Sequence, residues 1–157
     1  MNVLKLIDAV DIGIEKEKAR RDFYDLVSKS FDSGEVKALF ERLRDWETGH
    51  IAKFESIKNN LDSHTASESY SGELAGYLNA LVDDRLYEEV SPESFAGKVA
   101  DPVEAIQYGI GFEKDAILLF QELIPFVQES SKEILQALID EERQHIVYLM
   151  KLREKYG

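Results

Sequence analysis

Four long stretches of this chain repeat apolar residues every three or four positions, which is the spacing that places side chains on one face of an α-helix. They run from about residue 3 to 29, 34 to 61, 102 to 124 and 131 to 156. Amphipathic helices of this kind are stable when their apolar faces pack together. Only three prolines and nine glycines occur in the 157 residues, so few positions interrupt the pattern. We therefore predict an all-α protein built from four long helices.

The lengths of the connections predict how these helices are arranged. The first two helices and the last two are each joined by only a few residues, around 30–33 and 126–130. Links this short make consecutive helices antiparallel neighbours. Residues 62–101 separate the second helix from the third, and they include a short helical pattern at about 73–87. Two antiparallel hairpins joined by one long crossover are the arrangement of a ferritin-like four-helix bundle.

Residues typical of helix N-termini support these limits. A capping box places a polar residue just before the helix and a glutamate three residues later. A proline in the first helical turn, preceded by an acidic cap, is another start signal. The predicted starts are marked by Asp32 with Glu35, by Ser130 with Glu133, and by Asp101 before Pro102.

Polar residues interrupt each apolar stripe near its middle, where the core of a bundle should be. Each of the four helices places one glutamate on its core-facing positions, and the second and fourth helices add a histidine three residues later. Positions i and i+3 share a face of a helix, so each Glu-x-x-His pair projects in one direction. The six residues are Glu17, Glu47, His50, Glu113, Glu142 and His145.

The positions of the four glutamates along their helices predict that they meet. Glu17 and Glu47 are 30 residues apart in the first hairpin. Glu113 and Glu142 are 29 residues apart in the second, and in both hairpins the turn lies near the midpoint. Because antiparallel helices rise about 1.5 Å per residue in opposite directions, the two members of each pair reach the same level. Four carboxylates and two imidazoles should therefore converge in the middle of the bundle.

Such a cluster is unfavourable without a cation. A buried, unpaired carboxylate is costly or shifts its pKa, and four of them together repel one another. One or two divalent metal ions would neutralise the cluster and give its oxygen and nitrogen atoms partners. One Glu from each of two helices with Glu-x-x-His from the other two is the ligand pattern of di-iron and di-manganese bundles. The absence of cysteine excludes thiolate zinc sites and iron–sulfur clusters.

Other interpretations of the same residues remain open. The inward glutamates could be misphased by one position, or they could pair with Arg20 and Arg21. A single Glu-x-x-His arises readily by chance in an acidic chain, and a lone core histidine usually satisfies one hydrogen bond. The repetition of Glu…Glu-x-x-His at matching depth in both hairpins favours the metal site.

Residues beside the six are expected to have supporting roles. Arg21 falls on the inward stripe of the first helix, where it could pair with an acid or turn outward. Tyr24 is expected to pack, or to hydrogen-bond a metal-bound group. Trp46 and Tyr148 flank the ligand turns and are expected to shield them or to belong to the core. Glu141 is expected on an outer, solvated face.

Composition restricts the remaining function classes. The chain has 31 acidic and 19 basic residues, and its net charge of −12 opposes binding to nucleic acids and anionic membranes. No apolar run reaches the ~18–20 residues that span a bilayer. The first residues lack the basic start and cleavage site of a signal peptide. We therefore expect one domain over residues 1–157, in the cytoplasm, with no nucleic-acid or membrane partner.

Four segments resemble the rubrerythrin-related branch of the ferritin-like superfamily. One family pattern is a ligand glutamate seven residues before an aromatic residue, seen in IEKEKARRDFYDLV and again in IQYGIGFEKDAILLFQEL. The other ends in Glu-x-x-His, seen in LFERLRDWETGHIAKFESI and LQALIDEERQHIVYLMKL. The resemblance implies that the six residues named above are iron ligands and that Glu47 and Glu142 bridge two iron ions. Ligands of this mixed type also suit manganese or zinc.

Two differences limit what the resemblance implies. Rubrerythrins proper carry a cysteine-rich rubredoxin domain that delivers electrons, and this chain has no cysteine. They also have a further carboxylate three residues from the third-helix ligand, where this chain has Ile110 and Ala116. The peroxidase route of rubrerythrins proper therefore does not transfer directly to this chain.

The resemblance implies a di-iron oxidoreductase of the ferroxidase or peroxide-reductase type. Its reaction partners would be O2 or hydrogen peroxide, together with an external electron donor such as rubredoxin. A homodimer or a higher homo-oligomer is the expected assembly. The competing hypotheses are non-enzymatic binding of iron or another divalent metal, for buffering, delivery or sensing, and a structural bundle without metal.

Overall fold

The four long helices expected from the periodicity are present in the computed structural model, which describes residues 5–32, 34–61, 72–81, 99 and 101–156. The all-α prediction is confirmed. Within these described ranges, no helix has an apolar stretch suited to crossing a bilayer. The helices are α1 (Leu6–Ser30), α2 (Gly34–Asn59), α3 (Gly72–Leu81), α4 (Pro102–Leu123) and α5 (Glu129–Tyr156), and a 3-10 turn, Ile124–Phe126, follows α4.

The helices form two hairpins, as predicted. α1 packs mainly against α2, and α4 packs mainly against α5. Ion pairs at both ends of the first hairpin show that its helices are antiparallel: Asp25 contacts Arg44 at 3.0 Å, and Asp11 contacts Lys58 at 2.6 Å. The hairpins pack through α2 with α5 and through α1 with α4. The crossover contains α3, which lies against α4, and the remainder of the helix predicted at 73–87 lies outside the described residues.

One of the predicted helix caps is present. The Oδ1 atom of Asp101 accepts a hydrogen bond from the backbone N–H of Glu104 at 2.9 Å, and Pro102 is the first residue of α4. The bond satisfies one of the backbone donors that the first helical turn leaves without partners.

Of the two predicted capping boxes, the one at Ser130 is wrong. α5 already begins at Glu129, so Ser130 lies inside its first turn and is not a cap. The error arises because several polar residues stand near the start of this helix, and the sequence does not show which of them precedes it. The box predicted at Asp32 requires a helix that starts at Ser33, which lies outside the described residues.

The buried apolar side chains form two clusters, separated by the level of the six predicted ligands. One cluster contains the N-terminal part of α1, the C-terminal part of α2 and the facing residues of α4 and α5, including Ile14 and Leu138. The other contains the opposite ends of the same helices, including Ile110 and Leu149. Each fully buried aliphatic or aromatic side chain stabilises the fold by about 1.5–3 kcal/mol. The two clusters therefore stabilise the bundle from both sides of a polar layer.

A close approach within the first hairpin depends on a glycine. A Cβ atom added at Gly13 of α1 would lie 2.6 Å from Cε1 and 2.8 Å from Cζ of Phe54. The Phe54 ring is fully buried and packs against Phe120, with 5.2 Å between the ring centroids. Because the ring is enclosed, it cannot make room for an added methyl group without disturbing the core.

We predict that Gly13→Ala lowers the free energy of unfolding by about 1–3 kcal/mol, because it overpacks the core. Gly49→Ala is the matched control, since a Cβ at this exposed position of α2 meets nothing within 4 Å. The control should be stabilised by about 0.5–1 kcal/mol, because alanine is the better helix former. Urea denaturation followed by far-UV circular dichroism measures both. Equal stability of the two variants would contradict the close packing at Gly13.

Candidate metal centre

The six side chains expected to converge lie together between the two apolar clusters. None is more than 3% exposed, and three of the four glutamates are fully buried. All four long helices contribute to this layer, at their middle turns. The contributions are Glu17 from α1, Glu47 and His50 from α2, Glu113 from α4, and Glu142 and His145 from α5.

Their ligand atoms fall into two overlapping sets of four, and within each set one atom from every residue lies within 4.8 Å of the others. Two residues, one from α2 and one from α5, belong to both sets. Two metal ions that share bridging carboxylates are the occupants that such overlapping sets suit. The Glu17 group consists of Glu17, Glu47, His50 and Glu142, and the Glu113 group consists of Glu47, Glu113, Glu142 and His145.

Four carboxylate oxygens in this layer have no hydrogen-bond partner among the described residues. They are both oxygens of Glu17, of which Oε1 lies 2.6 Å from the guanidinium of Arg20, together with Oε1 of Glu47 and Oε2 of Glu113. A buried polar atom without a hydrogen bond is costly, and more so when it carries charge. Carboxylate oxygens and imidazole nitrogens are ligands that iron, manganese and zinc all accept. The donor set and its unsatisfied oxygens therefore fit divalent metal ions, and the cluster is a candidate metal site.

A buried arginine lies within the cluster. The Nη2 atom of Arg20 is 2.6 Å from Oε1 of Glu17, 3.1 Å from Oε2 of Glu47 and 3.6 Å from Oε1 of Glu142. Its Nη1 atom donates a hydrogen bond to the backbone carbonyl of Phe112 at 3.3 Å. The side chain is 1% exposed. One guanidinium therefore supplies positive charge to three of the four carboxylates.

The placement of Arg21 on the inward stripe is wrong. Its side chain is 33% exposed, and it pairs with Asp22 at 3.1 Å on the surface. Arg20 and Arg21 follow Glu17 by three and four positions, which places them on either side of it around the helix. Either side chain could have faced the core. The way α1 packs against the other helices places Arg20 in the core and Arg21 at the surface. The open possibility that a core glutamate pairs with an arginine is thus realised at Arg20.

The carboxyl groups respond differently to this environment. Burial raises the pKa of Glu17 well above its ordinary value, although the charge of Arg20 opposes the shift. Burial also acts to raise the pKa of Glu47, but the charge of Arg20 together with hydrogen bonds involving Glu17 and His50 outweighs burial, and the pKa is lowered. For Glu142, Arg20 and hydrogen bonds from both histidines outweigh burial and hold the pKa well below its usual range. Burial and Arg20 therefore shift the pKa of Glu17 in the opposite direction to those of Glu47 and Glu142.

Both nitrogens of His50 contact carboxylates. The Nδ1 atom faces the cluster and lies 2.7 Å from Oε1 of Glu142. Nε2 lies 2.5 Å from Oε2 of Glu141, whose other oxygen accepts from Nζ of Lys53 at 3.2 Å. Burial alone would lower the pKa of His50, but its hydrogen bonds to Glu142 and Glu47 raise the pKa to about 11. Glu141, expected on an outer face, therefore also contacts one of the six predicted ligands.

Glu141 is a functional candidate that the sequence analysis missed. Its side chain is 39% exposed, which fits the outer face expected for it, but one oxygen reaches inward to the imidazole. Carboxylates that accept from the second nitrogen of a ligand histidine fix the orientation of the ring. The feature of the sequence that could have indicated this contact is the position of Glu141 next to Glu142, on the side of α5 that faces α2. That side is known only once the two helices are packed.

Tyr24 hydrogen-bonds directly to the cluster. Its hydroxyl donates to Oε1 of Glu113 at 2.5 Å, and the whole side chain is buried. Of the two roles left open for this residue, the structure shows a hydrogen bond to a predicted ligand. The bond orients the carboxylate of Glu113 toward the other residues of its group.

Aromatic rings cover the histidines on one side. The indole of Trp46 stacks on the His145 ring, with centroids 4.8 Å apart and planes 9° apart. The rings of His145 and His50 are also nearly parallel, at 5.6 Å and 9°. Tyr148 lies beyond Trp46 at 5.8 Å and is 38% exposed. The shielding role expected for Trp46 agrees with this stack.

A cleft of about 380 Å³ between α2 and α5 reaches the outer edge of the cluster. Both histidines line it, together with Trp46, Glu141 and Tyr148. Asp45 and Lys53 also line it, so its walls are polar. The cleft therefore offers a route by which a small polar molecule can approach the histidine side of the cluster.

Comparison with known proteins places this architecture among described folds. The family model for rubrerythrin matches residues 8–153. A protein from Thermotoga maritima, described as a ferritin-like diiron-carboxylate protein, has a crystal structure that is similar to this chain with a TM-score of 0.74. The alignment covers 100% of this chain and 99% of that chain at 22% identity, so it establishes a ferritin-like fold. No curated protein matches the chain.

We predict that Tyr24→Phe lowers the free energy of unfolding of the metal-free protein by about 1–3 kcal/mol, because it leaves a buried carboxylate oxygen without its donor. Tyr148→Phe, which removes a hydroxyl from a partly exposed ring, is the control and should change stability by less than about 0.5 kcal/mol. Urea denaturation in the presence of a chelator measures the free energy of unfolding of both variants. A Tyr24→Phe variant as stable as the wild type would show that the hydroxyl does not support Glu113.

Proposed function

Since this chain belongs to the rubrerythrin family, as the match across residues 8–153 establishes, we propose that it is a di-iron oxidoreductase that reduces hydrogen peroxide or O2. The observation that carries this proposal is the pair of overlapping ligand groups that share Glu47 and Glu142. Two shared carboxylates between two sets of terminal ligands match the chemistry of a di-iron carboxylate centre.

Each residue of the cluster has a role in this proposal. The shared glutamates are suited to bridge two ions because each belongs to both groups. The remaining ligands divide evenly, with one carboxylate and one imidazole for each ion. In this assignment Glu17 and His50 would hold one ion, Glu113 and His145 would hold the other, and Glu47 and Glu142 would be shared by both.

When bound, two ferrous ions would supply the two electrons that, with two protons from solvent, convert one hydrogen peroxide into two water molecules. The protein's own part is to hold the ligands in place. Glu141 accepts a hydrogen bond from Nε2 of His50, which leaves Nδ1 directed at the cluster. Tyr24 holds one oxygen of Glu113, so the other oxygen is available to a metal ion.

The surroundings of the cluster limit access to it. Apolar residues on both sides, such as Ile14, Leu138 and Ile110, are buried and exclude water from the ends of the polar layer. The cleft between α2 and α5 reaches the cluster beside His50 and His145. A molecule as small as hydrogen peroxide is well within its volume. We propose this cleft as the approach for the oxidant.

A second candidate function is reversible iron binding without turnover. The observation that favours it is Arg20, whose ion pairs neutralise part of the metal-free cluster. A protein that takes up and releases iron needs a metal-free state that stays folded, and such a buried counter-charge supports that state. The two functions differ in what happens when peroxide meets the reduced, iron-loaded protein.

We predict that the wild-type protein binds about two iron ions per chain after anaerobic reconstitution with ferrous iron, as its six ligands suggest. Glu47→Ala and Glu142→Ala each remove a carboxylate shared by both ions, so each variant should lose most of this iron. Glu133→Ala, at an exposed position of α5, should retain it. Elemental analysis of desalted protein gives the ratio, which also distinguishes iron from manganese or zinc in protein purified without chelator.

Two results would contradict the ligand assignment. One is a wild-type ratio near zero in protein with intact helical circular dichroism. The other is full iron retention in both Glu47→Ala and Glu142→Ala.

We predict that the reduced, iron-loaded protein alone consumes about one hydrogen peroxide per di-iron site, because two ferrous ions supply two electrons. The chain contains no cysteine for an iron–sulfur relay, so further turnover should require an added donor such as rubredoxin with its reductase. Peroxide consumption with and without the donor measures this. Sustained turnover with NADH alone would contradict the requirement for a donor, and iron uptake without any peroxide consumption would favour the binding function.

A further inference from the structure

Arg20 contacts the terminal carboxylate of the Glu17 group but not that of the Glu113 group. The nearest carboxylate to its guanidinium is Glu17, at 2.6 Å, and the next two, Glu47 and Glu142, complete the Glu17 group together with His50. The terminal carboxylate of the other group, Glu113, receives its hydrogen bond from the neutral hydroxyl of Tyr24. One terminal ligand is therefore paired with a cation and the other with a neutral donor.

A guanidinium and a metal ion compete for the Glu17 group. Carboxylate oxygens bind divalent ions at about 2 Å. The Nη2 atom of Arg20 already lies 2.6 Å from Oε1 of Glu17 and 3.1 Å from Oε2 of Glu47. An ion bound to Glu17 would lie close to the guanidinium, and two cations close together inside a buried layer repel each other. Glu17 belongs to this group and not to the Glu113 group, so the competition for Glu17 falls on the ion of the Glu17 group.

Formal charge supports the same conclusion. The four buried carboxylates carry a formal charge of −4 when all are ionised. One divalent ion leaves −2 on the carboxylates, so the guanidinium still neutralises charge after the first ion binds. Two divalent ions bring the carboxylates to neutrality, and a guanidinium among them would then be an unpaired buried charge. The second ion, and not the first, is the one that competes with Arg20.

We propose that Arg20 makes the two halves of the centre fill in order. The Glu113 group binds the first divalent ion while Arg20 stays on Glu17, and the Glu17 group binds the second ion only after the guanidinium is displaced. The second ion therefore binds more weakly, because its binding free energy includes the loss of the Arg20 ion pairs. This inference rests on the proposed two-metal site and adds an order and a difference in affinity to it.

The test is calorimetric titration of the metal-free protein with Co²⁺, which does not undergo the redox chemistry of ferrous iron. The wild type should bind two ions in two steps whose dissociation constants differ by about tenfold or more, within the usual range of coupling between sites. Arg20→Gln removes the charge and should tighten the second step by about tenfold, with little change in the first. Arg21→Gln is the matched control, because its guanidinium lies at the surface, and it should leave both steps unchanged.

Two further variants keep Arg20 in place and show which ligand group binds the first ion and which binds the second. They therefore test the order of binding even if Arg20→Gln does not fold. Glu17→Gln should lose the weak step and keep the tight one. Glu113→Gln should lose the tight step. The reverse assignment would overturn the proposed order.

The outcomes separate this inference from the function on which it rests. Two ions bound with equal affinity in both the wild type and Arg20→Gln would overturn the role of Arg20 while leaving the two-metal site intact. A wild type that binds one ion, with a second site appearing only in Arg20→Gln, would support it. No Co²⁺ binding by folded wild-type protein would overturn the two-metal site itself.

Discussion

The burial of four carboxylates at the centre of the bundle is the constraint to which the rest of the structure responds. An ionised carboxylate in an apolar core is strongly unfavourable unless it is paired. In the metal-free chain, Arg20 contacts three of these carboxylates and the hydroxyl of Tyr24 contacts the fourth, Glu113. The two histidines add further hydrogen bonds. Even so, four carboxylate oxygens have no hydrogen bond among the described residues, and one of these four is ion-paired with Arg20. A metal ion would give such oxygens a partner.

The fold supplies the rigidity that holds this polar layer in place. Each long helix crosses the layer once, and its apolar residues above and below the crossing pack into separate clusters. The ligands therefore project from middle turns that are fixed on both sides, rather than from loops. Close contacts such as Gly13 against Phe54 set the distance between neighbouring helices. A small change in that distance would move the shared glutamates relative to the terminal ligands, so packing far from the cluster bears on its geometry.

The two edges of the cluster differ in their neighbouring residues and in their access to solvent. On the histidine side, Glu141 and Trp46 hold the imidazole rings, and the cleft between α2 and α5 leads outward. On the side of α1, Arg20 fills the space beside Glu17 with positive charge. Under the proposed function, an oxidant would approach past the histidines, and Arg20 would compete with an ion for the Glu17 group. Membership of the rubrerythrin family agrees with the ligand pattern, and Arg20 is a feature of this chain that the ligand pattern does not describe.

The sequence by itself determined the four long helices, their pairing into two hairpins and the identity of the six residues that meet in the core. These follow from helical periodicity and from the distance of each residue to its turn, both of which are local properties. Tertiary structure decided which neighbours join them. Arg20 rather than Arg21 enters the core, and Glu141 reaches His50, although each of these residues is adjacent to one with a different exposure. Neighbouring residues differ by about 100° around a helix, and the final rotation of each helix about its own axis is set only when all four pack together.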